Sequence, residues 1–205
     1  MVRFIFLFFL IVTNNSILAQ NVDITLLKKI NLNRFKAFDK SFNFLTNTSD
    51  FTAIASPIVL LTTGYINGNA KLKKDGFNAA ISTIGSYSVG YILKKAIDRN
   101  RPYETYSFIQ NYKIETGESF PSGSTALAFS TATSLSLSFP KWYVIVPSAL
   151  YATGVGYSRL HLGAHYPSDV LAGAVLGASS AFISAKLNKL LINQHRKKNI
   201  NKNSF

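Results

Sequence analysis

The sequence predicts an all-α fold: a membrane-embedded bundle of five core helices behind an N-terminal signal segment. Five apolar stretches of about 16 to 25 residues, near the length a bilayer span requires, carry the first part of that reading. No period-two alternation or hairpin signal competes with them. The composition agrees, with 47% hydrophobic residues and only 15% charged.

Met1 to Gln20 reads as a secretory signal. Arg3 supplies the positive start, Phe4 to Val12 is an unbroken apolar run, and residues 1–19 end at Ala19, the expected cleavage point. Ile17 is not the small residue an ideal site carries, so an uncleaved anchor is the alternative. Residues 20–50 form a polar segment in which Leu26, Leu27, Ile30 and Leu32 suggest a short amphipathic helix. Phe35, Phe38, Phe42 and Phe44 follow, either on a membrane surface or packed on the domain.

The helical domain is expected over residues 51–192. Phe51 to Ile66 is apolar, and Phe77 to Leu93 is rich in small residues. Ser122 to Phe139 carries Ala, Ser and Thr, and Trp142 to Tyr157 is apolar up to Gly154 and Gly156. Ser168 to Ile192 holds Gly173 and Gly177 four apart, a spacing that lets helices approach closely in membranes. Residues 193–205 make a basic tail.

The 205-residue chain has no cysteine, which excludes disulfides and thiolate chemistry. Its net charge of +13 suits anionic partners. Nucleic acid is excluded as a partner, because long apolar runs separate the basic residues. The charges have a pattern: Lys71, Lys73 and Lys74 in the Gly68–Gly76 loop, Lys141 in the next basic turn, and the tail after Ile192 fall on one side of five spans. The positive-inside rule makes that side cytoplasmic. The Lys94–Phe120 loop and Tyr157–Asp169 then face outward.

Three segments on that outer side carry chemistry. Ser158 to Asp169 brings Arg159, His161, His165 and Asp169 together ahead of a helix that Pro167 is suited to start. A histidine whose second nitrogen donates to a carboxylate is a good nucleophile, which suits His165 with Asp169. Asp169 is equally explained as a helix-start residue, and His165 as a polar loop residue. A metal site of His161, His165 and Asp169 is a further reading, but Gly163 and Pro167 interrupt the helix it needs. Lys94 and Arg101 stand seven apart, so both can face a phosphate from one helix, or simply form a solvated basic helix end. In Pro121-Ser122-Gly123-Ser124, Ser122 can cap a helix and Gly123 lets a ligand approach the backbone at an anion-binding N-terminus.

Taken in order, these segments resemble the type 2 phosphatidic acid phosphatase superfamily, which includes bacterial acid phosphatases and vanadium haloperoxidases. Lys94, Arg101 and Pro102 fit K-x6-R-P, Pro121, Ser122 and Gly123 fit P-S-G-H, and Ser158, Arg159, His165 and Asp169 fit S-R-x5-H-x3-D. The resemblance implies that Lys94, Arg101, Ser122, Gly123 and Arg159 hold phosphate, His165 forms a phosphohistidine, and Asp169 orients it. It implies no cofactor and no metal. Ser124 stands where the family's general-acid histidine belongs, and His161 is the candidate replacement.

The expected function is hydrolysis of a lipid phosphate or diphosphate outside the cytoplasm, at a bacterial-type cell envelope. Polyprenyl diphosphate, phosphatidic acid, phosphatidylglycerol phosphate and lipid A phosphates are open substrates, and the membrane and a phosphate-bearing lipid are the partners. The alternatives are a phosphate-binding protein that lost its acid, a soluble periplasmic phosphatase of broad specificity acting on small phosphoesters, or a haloperoxidase holding vanadate.

Overall fold

The computed structural model describes residues 21–202, with side chains to residue 190. The expected signal at Met1–Gln20 lies outside the described residues. Helix α1 covers residues 21–32, and a 3₁₀ turn follows at Lys36–Phe38. Five long helices follow: α2 (Asp39–Ile66), α3 (Ala70–Ile97), α5 (Gly123–Ser138), α6 (Trp142–His161) and α7 (Pro167–Lys202). A single turn, α4 (Pro102–Thr105), interrupts the α3–α5 connection, and no strand occurs among the described residues.

The boundaries differ from expectation in three places, each for a local reason. The Asn69 side chain accepts from the Lys71 and Leu72 amides and starts α3 at Ala70, so the basic lysines sit in its first turns rather than in a loop. α2 begins twelve residues before Phe51, because Asp39 to Asp50 continue the helix with polar side chains. α7 continues through the segment read as a tail to Lys202.

α5 is the axis of the bundle and packs against α2, α3, α6 and α7. Its small side chains allow this: Ala126, Ala128, Ala132 and Ser130 are buried. α7 comes closest. A Cβ on Gly173 would stand 2.5 Å from Ser122 O, and one on Gly177 would stand 2.1 Å from Ala126 O. Ser82 and Ser130 bond across the interior at 2.7 Å. The outer faces carry the bulk instead, with Phe51, Ile58, Ile84, Trp142, Val175 and Phe182 all exposed.

Small and polar residues inside with large apolar residues outside is the arrangement of a bundle packed in lipid. Pro167–Leu190 is by itself long and apolar enough to cross a membrane, at a mean hydropathy of 1.6. The inward serines and threonines lower the hydropathy of the other helices.

The two ends differ. At one, Lys71 Nζ donates to Ser138 O at 2.5 Å, which joins the basic start of α3 to the turn carrying Lys141. At the other, the α3–α5 and α6–α7 connections meet beneath α1. Asn31 of α1 donates to Gln110 O at 2.9 Å and to His161 O at 3.0 Å, which ties α1 to both connections. Gly163 holds φ at 71°, and a Cβ there would lie 2.8 Å from Gln110 O.

Candidate active site

A cavity of about 420 Å³ opens at this second end. Lys94, Arg101, Gly123, Ser124, Arg159 and His165 all line it. They arrive from five segments of the chain. Lys94 stands in the last turn of α3, and the helix then ends at Asp98 in the left-handed conformation. Arg101 therefore lies beyond the helix, in extended backbone ahead of Pro102. The two cations line the cavity from either side of the end of α3 rather than from one helical face. Gly123 and Ser124 are in the first turn of α5, and a Cβ on Gly123 would meet nothing within 4 Å. The amides of that turn are open toward the cavity.

His165 sits in the short connection between α6 and α7 and is 2% exposed. Its Nε2 is 3.4 Å from Arg101 Nη1, on the side of the cations. Its Nδ1 looks the other way, 3.6 Å from Asp169 Oδ2 and 3.4 Å from Ser119 Oγ. At 3.6 Å the pair is wider than a hydrogen bond, as unliganded catalytic pairs often are. Burial pushes His165 down to about 4, and the Arg159 and Arg101 charges add to that, against the pull of Asp169. The ring is therefore neutral at pH 7, with a lone pair free for attack.

Asp169 is wholly buried in the first turn of α7, which Pro167 opens. Arg99 Nη1 donates to its Oδ1 at 2.6 Å, and Ser119 Oγ and the Tyr166 amide donate to Oδ2 at 2.5 and 2.9 Å. Arg99 is in turn held by Asp23 of α1 at 2.7 Å, and Asp23 also accepts the Ser168 amide at 2.8 Å. A three-residue chain of Asp23, Arg99 and Asp169 thus backs His165. Arg99 and Asp23 were not singled out in the sequence; the only cue was a third cation beside Arg101.

Glu115 is a further residue that sequence reasoning missed. Its Oε2 lies 3.2 Å from Arg101 Nη1 and is also bonded by Arg159. Burial alone would raise this carboxyl, but the Arg159 charge and hydrogen bond, with Arg101, hold it below the usual range. A carboxylate already spans the two guanidinium groups, so the site accepts an oxyanion in that place. Among the described residues Arg159 Nε is buried without a partner, a donor left for a further oxygen.

Two expected residues stand elsewhere. His161 does not line the cavity: its Nε2 meets Asp39 Oδ1 at 2.9 Å and its ring packs 4.4 Å from Phe42. It faces α2, outside the lining that holds His165, so the replacement-acid reading of His161 does not fit the geometry. The same placement separates it from His165 and Asp169, and no metal-holding group of three occurs among the described residues. Ser122 occupies the cap position of α5, yet its hydroxyl bonds Thr125 Oγ1 at 2.8 Å instead of capping, and it is fully buried. Its backbone amide is taken by Asp169 O at 3.0 Å. Ser122 thus supports the site from behind rather than touching the cavity.

The family model described as the PAP2 superfamily matches residues 75–192. The undecaprenyl-diphosphatase of Sulfolobus acidocaldarius is 29% identical over 175 residues, covering 82% of this chain and 80% of that protein. The crystal structure of Aquifex aeolicus LpxE superposes with a TM-score of 0.69 at 28% identity, over 80% of this chain and 95% of that one. A transmembrane PAP2-type phosphatidylglycerolphosphate phosphatase from Bacillus subtilis shares the fold, with a TM-score of 0.73 at 24% identity over 90% and 94% of the two chains.

Proposed function

The chain belongs to the PAP2 superfamily, and from that premise we propose that this phosphoric ester hydrolase removes phosphate from a membrane lipid phosphate or diphosphate on the non-cytoplasmic side. The observation that carries the reading is the single cavity in which Lys94, Arg101, Arg159 and the first turn of α5 surround His165. Three cations and a helix N-terminus match the charge of a phosphoryl group and its transition state.

In this reading the phosphate displaces Glu115 and takes the two arginines. His165 Nε2 attacks phosphorus, and Asp169 keeps Nδ1 as the donor nitrogen, itself held by Arg99 and Ser119. The P–O bond breaks, water then cleaves the phosphohistidine, and inorganic phosphate leaves. The cations stabilise the equatorial oxygens, so the residues present suffice for the charge on the transition state.

The lipid assignment draws on the exposed apolar residues of the outer helix faces and on relatives named for lipid phosphates, the undecaprenyl-diphosphatase and a lipid A 1-phosphatase of Rhizobium johnstonii. The outward orientation draws on the basic end being opposite the cavity. The test is phosphate release by purified protein in detergent from undecaprenyl diphosphate, phosphatidate, phosphatidylglycerol phosphate and one soluble ester. Release from lipids well above the soluble ester supports the reading. Preference for the soluble ester favours the broad acid phosphatase, and no release from any favours a binding protein.

A further inference from the structure

Ser124 leaves the leaving group without a titrating donor, and the cavity holds a carboxylate in reach of that position. Asp50 of α2 lines the cavity together with Ser124, Arg159 and His165. It lines the adjoining cleft of about 360 Å³ as well, again with Ser124 and Arg159. α2 is fixed there one turn earlier, where the Thr46 and Ser158 hydroxyls bond and both residues are buried. Residues four apart share a helical face, so Asp50 follows Thr46 toward the site. Among the described residues the Asp50 carboxylate has no hydrogen-bond or ion-pair partner, unlike the site's other acids.

We propose that Asp50 is the general acid for the leaving group, standing in for the histidine that Ser124 replaces; this rests on the phosphatase reading above. The other candidates are occupied. Glu115 is bound by both phosphate-site arginines and stays ionised. His161 is tied to Asp39 outside the cavity. Lys94 is across the cavity on α3, donating to Glu118 O at 2.5 Å.

The step balances without any further reactant. As the His165 Nε2–P bond forms and the P–O bond breaks, the Asp50 proton passes to the departing oxygen, giving an alcohol and a carboxylate. In the second half, water attacks phosphorus, the P–N bond breaks, and Asp50 takes the water proton. The charged and titratable groups facing Asp50 are Arg159 from α6, Lys113 and Glu115 from the α4–α5 connection and, around the shared cavity, Lys94 from α3, Arg101 beyond it and the His165 ring; the cations among them favour the carboxylate. A bound phosphate dianion joins them and opposes ionisation of Asp50, which keeps the acid form available at the start of the reaction.

The experiment compares full-length wild type, Asp50→Asn and Asp50→Asn with Ser124→His in detergent. The substrates are phosphatidate, whose alkoxide needs a proton, and p-nitrophenyl phosphate, whose phenolate does not. Asp50→Asn is expected to lower phosphatidate kcat by about 10²-fold or more and aryl phosphate kcat far less. The alkaline limb of the phosphatidate pH profile should disappear, and Ser124→His should return part of the lost turnover. Equal losses on both substrates, or an unchanged alkaline limb, overturn the role of Asp50 and leave the phosphatase reading intact. A wild type inactive on both substrates and also on undecaprenyl diphosphate and phosphatidylglycerol phosphate overturns that reading and this one with it.

Discussion

Glu115 Oε2 stands 3.2 Å from Arg101 Nη1 and, through the same oxygen, accepts from Arg159. An internal carboxylate therefore occupies the place assigned to phosphate. Any oxyanion that enters must take both guanidinium groups from it. Glu115→Gln removes the competing charge, so inorganic phosphate should inhibit about tenfold more tightly, ~1.4 kcal/mol of binding. Phosphate should also raise the Tm of the variant more than that of wild type, since two buried arginines then lack a counter-charge. Weaker inhibition by phosphate in Glu115→Gln would mean that Glu115 shapes the arginine pair rather than competing for it.

His165→Ala should abolish turnover of every substrate, because His165 brings the one imidazole among the described residues that line the cavity beside the three cations. Asp169→Asn keeps the shape of the dyad but loses the charge that orients Nδ1, and should cost about 10²- to 10⁴-fold in kcat. Brief reaction with ³²P-labelled substrate, quenched in alkali, should trap label on His165 in wild type. Full turnover by His165→Ala sinks the phosphohistidine.

His165 is held down to about 4 against an ordinary 6.5, by burial first and the arginine charges second. Its folded value is the lower one. Between pH about 4 and 6.5 the unfolded chain takes up a proton that the folded chain refuses. The stability this residue contributes is complete above 6.5 and is lost as pH falls toward 4. The His165 limb of the kcat/KM profile should lie near pH 4, and His165→Ala should flatten the Tm profile across that window. A limb near 6.5 that vanishes with the histidine would contradict the buried, neutral ring.

Much of the site was legible because its residues lie in short segments with strict spacing, as Arg159, His165 and Asp169 do. The residues that hold or complete them were not. Asp23, Asp50 and Glu115 reach the site from distant parts of the chain, and a lone carboxylate has no spacing to read. Asp50 was hidden for a further reason: the polar run Asn47 to Asp50 reads as the end of a linker. It is a helix turning one face to a wet cavity, which breaks the apolar pattern without breaking the helix. Lys94 and Arg101 were paired for a geometry they do not use, since Asp98 ends α3 between them. The five long helices were evident, because small residues facing inward and bulky ones facing out leave a long apolar record.

The orientation in the membrane has its own test. Lys71 and Lys141 lie at the end of the bundle away from His165, and basic ends stay in the cytoplasm. Alkaline phosphatase fused behind Phe205 should be silent, and the same reporter inserted in the exposed stretch at Tyr112–Ile114 should be active. The reverse pattern would put the cavity in the cytoplasm.

The closest helix contact offers the last prediction. A Cβ on Gly177 would come within 2.1 Å of Ala126 O and 2.8 Å of Ser130 N, both backbone atoms that no side-chain rotation can move. Gly177→Ala must therefore push α7 away from α5, at a cost of about 1–3 kcal/mol, seen as a lower Tm in detergent. Gly173→Ala meets Ser122 O at 2.5 Å, one residue from the open amides of Gly123 and Ser124. It should shift that anion-binding turn relative to His165, so kcat should fall more than its loss of Tm alone explains. Gly85 is the control: a Cβ there meets nothing within 4 Å, and alanine is the better helix former. Gly85→Ala should keep full activity and an equal or higher Tm. If Gly177→Ala matched it in both, the α5–α7 contact would not be what holds the α5 N-terminus beside His165.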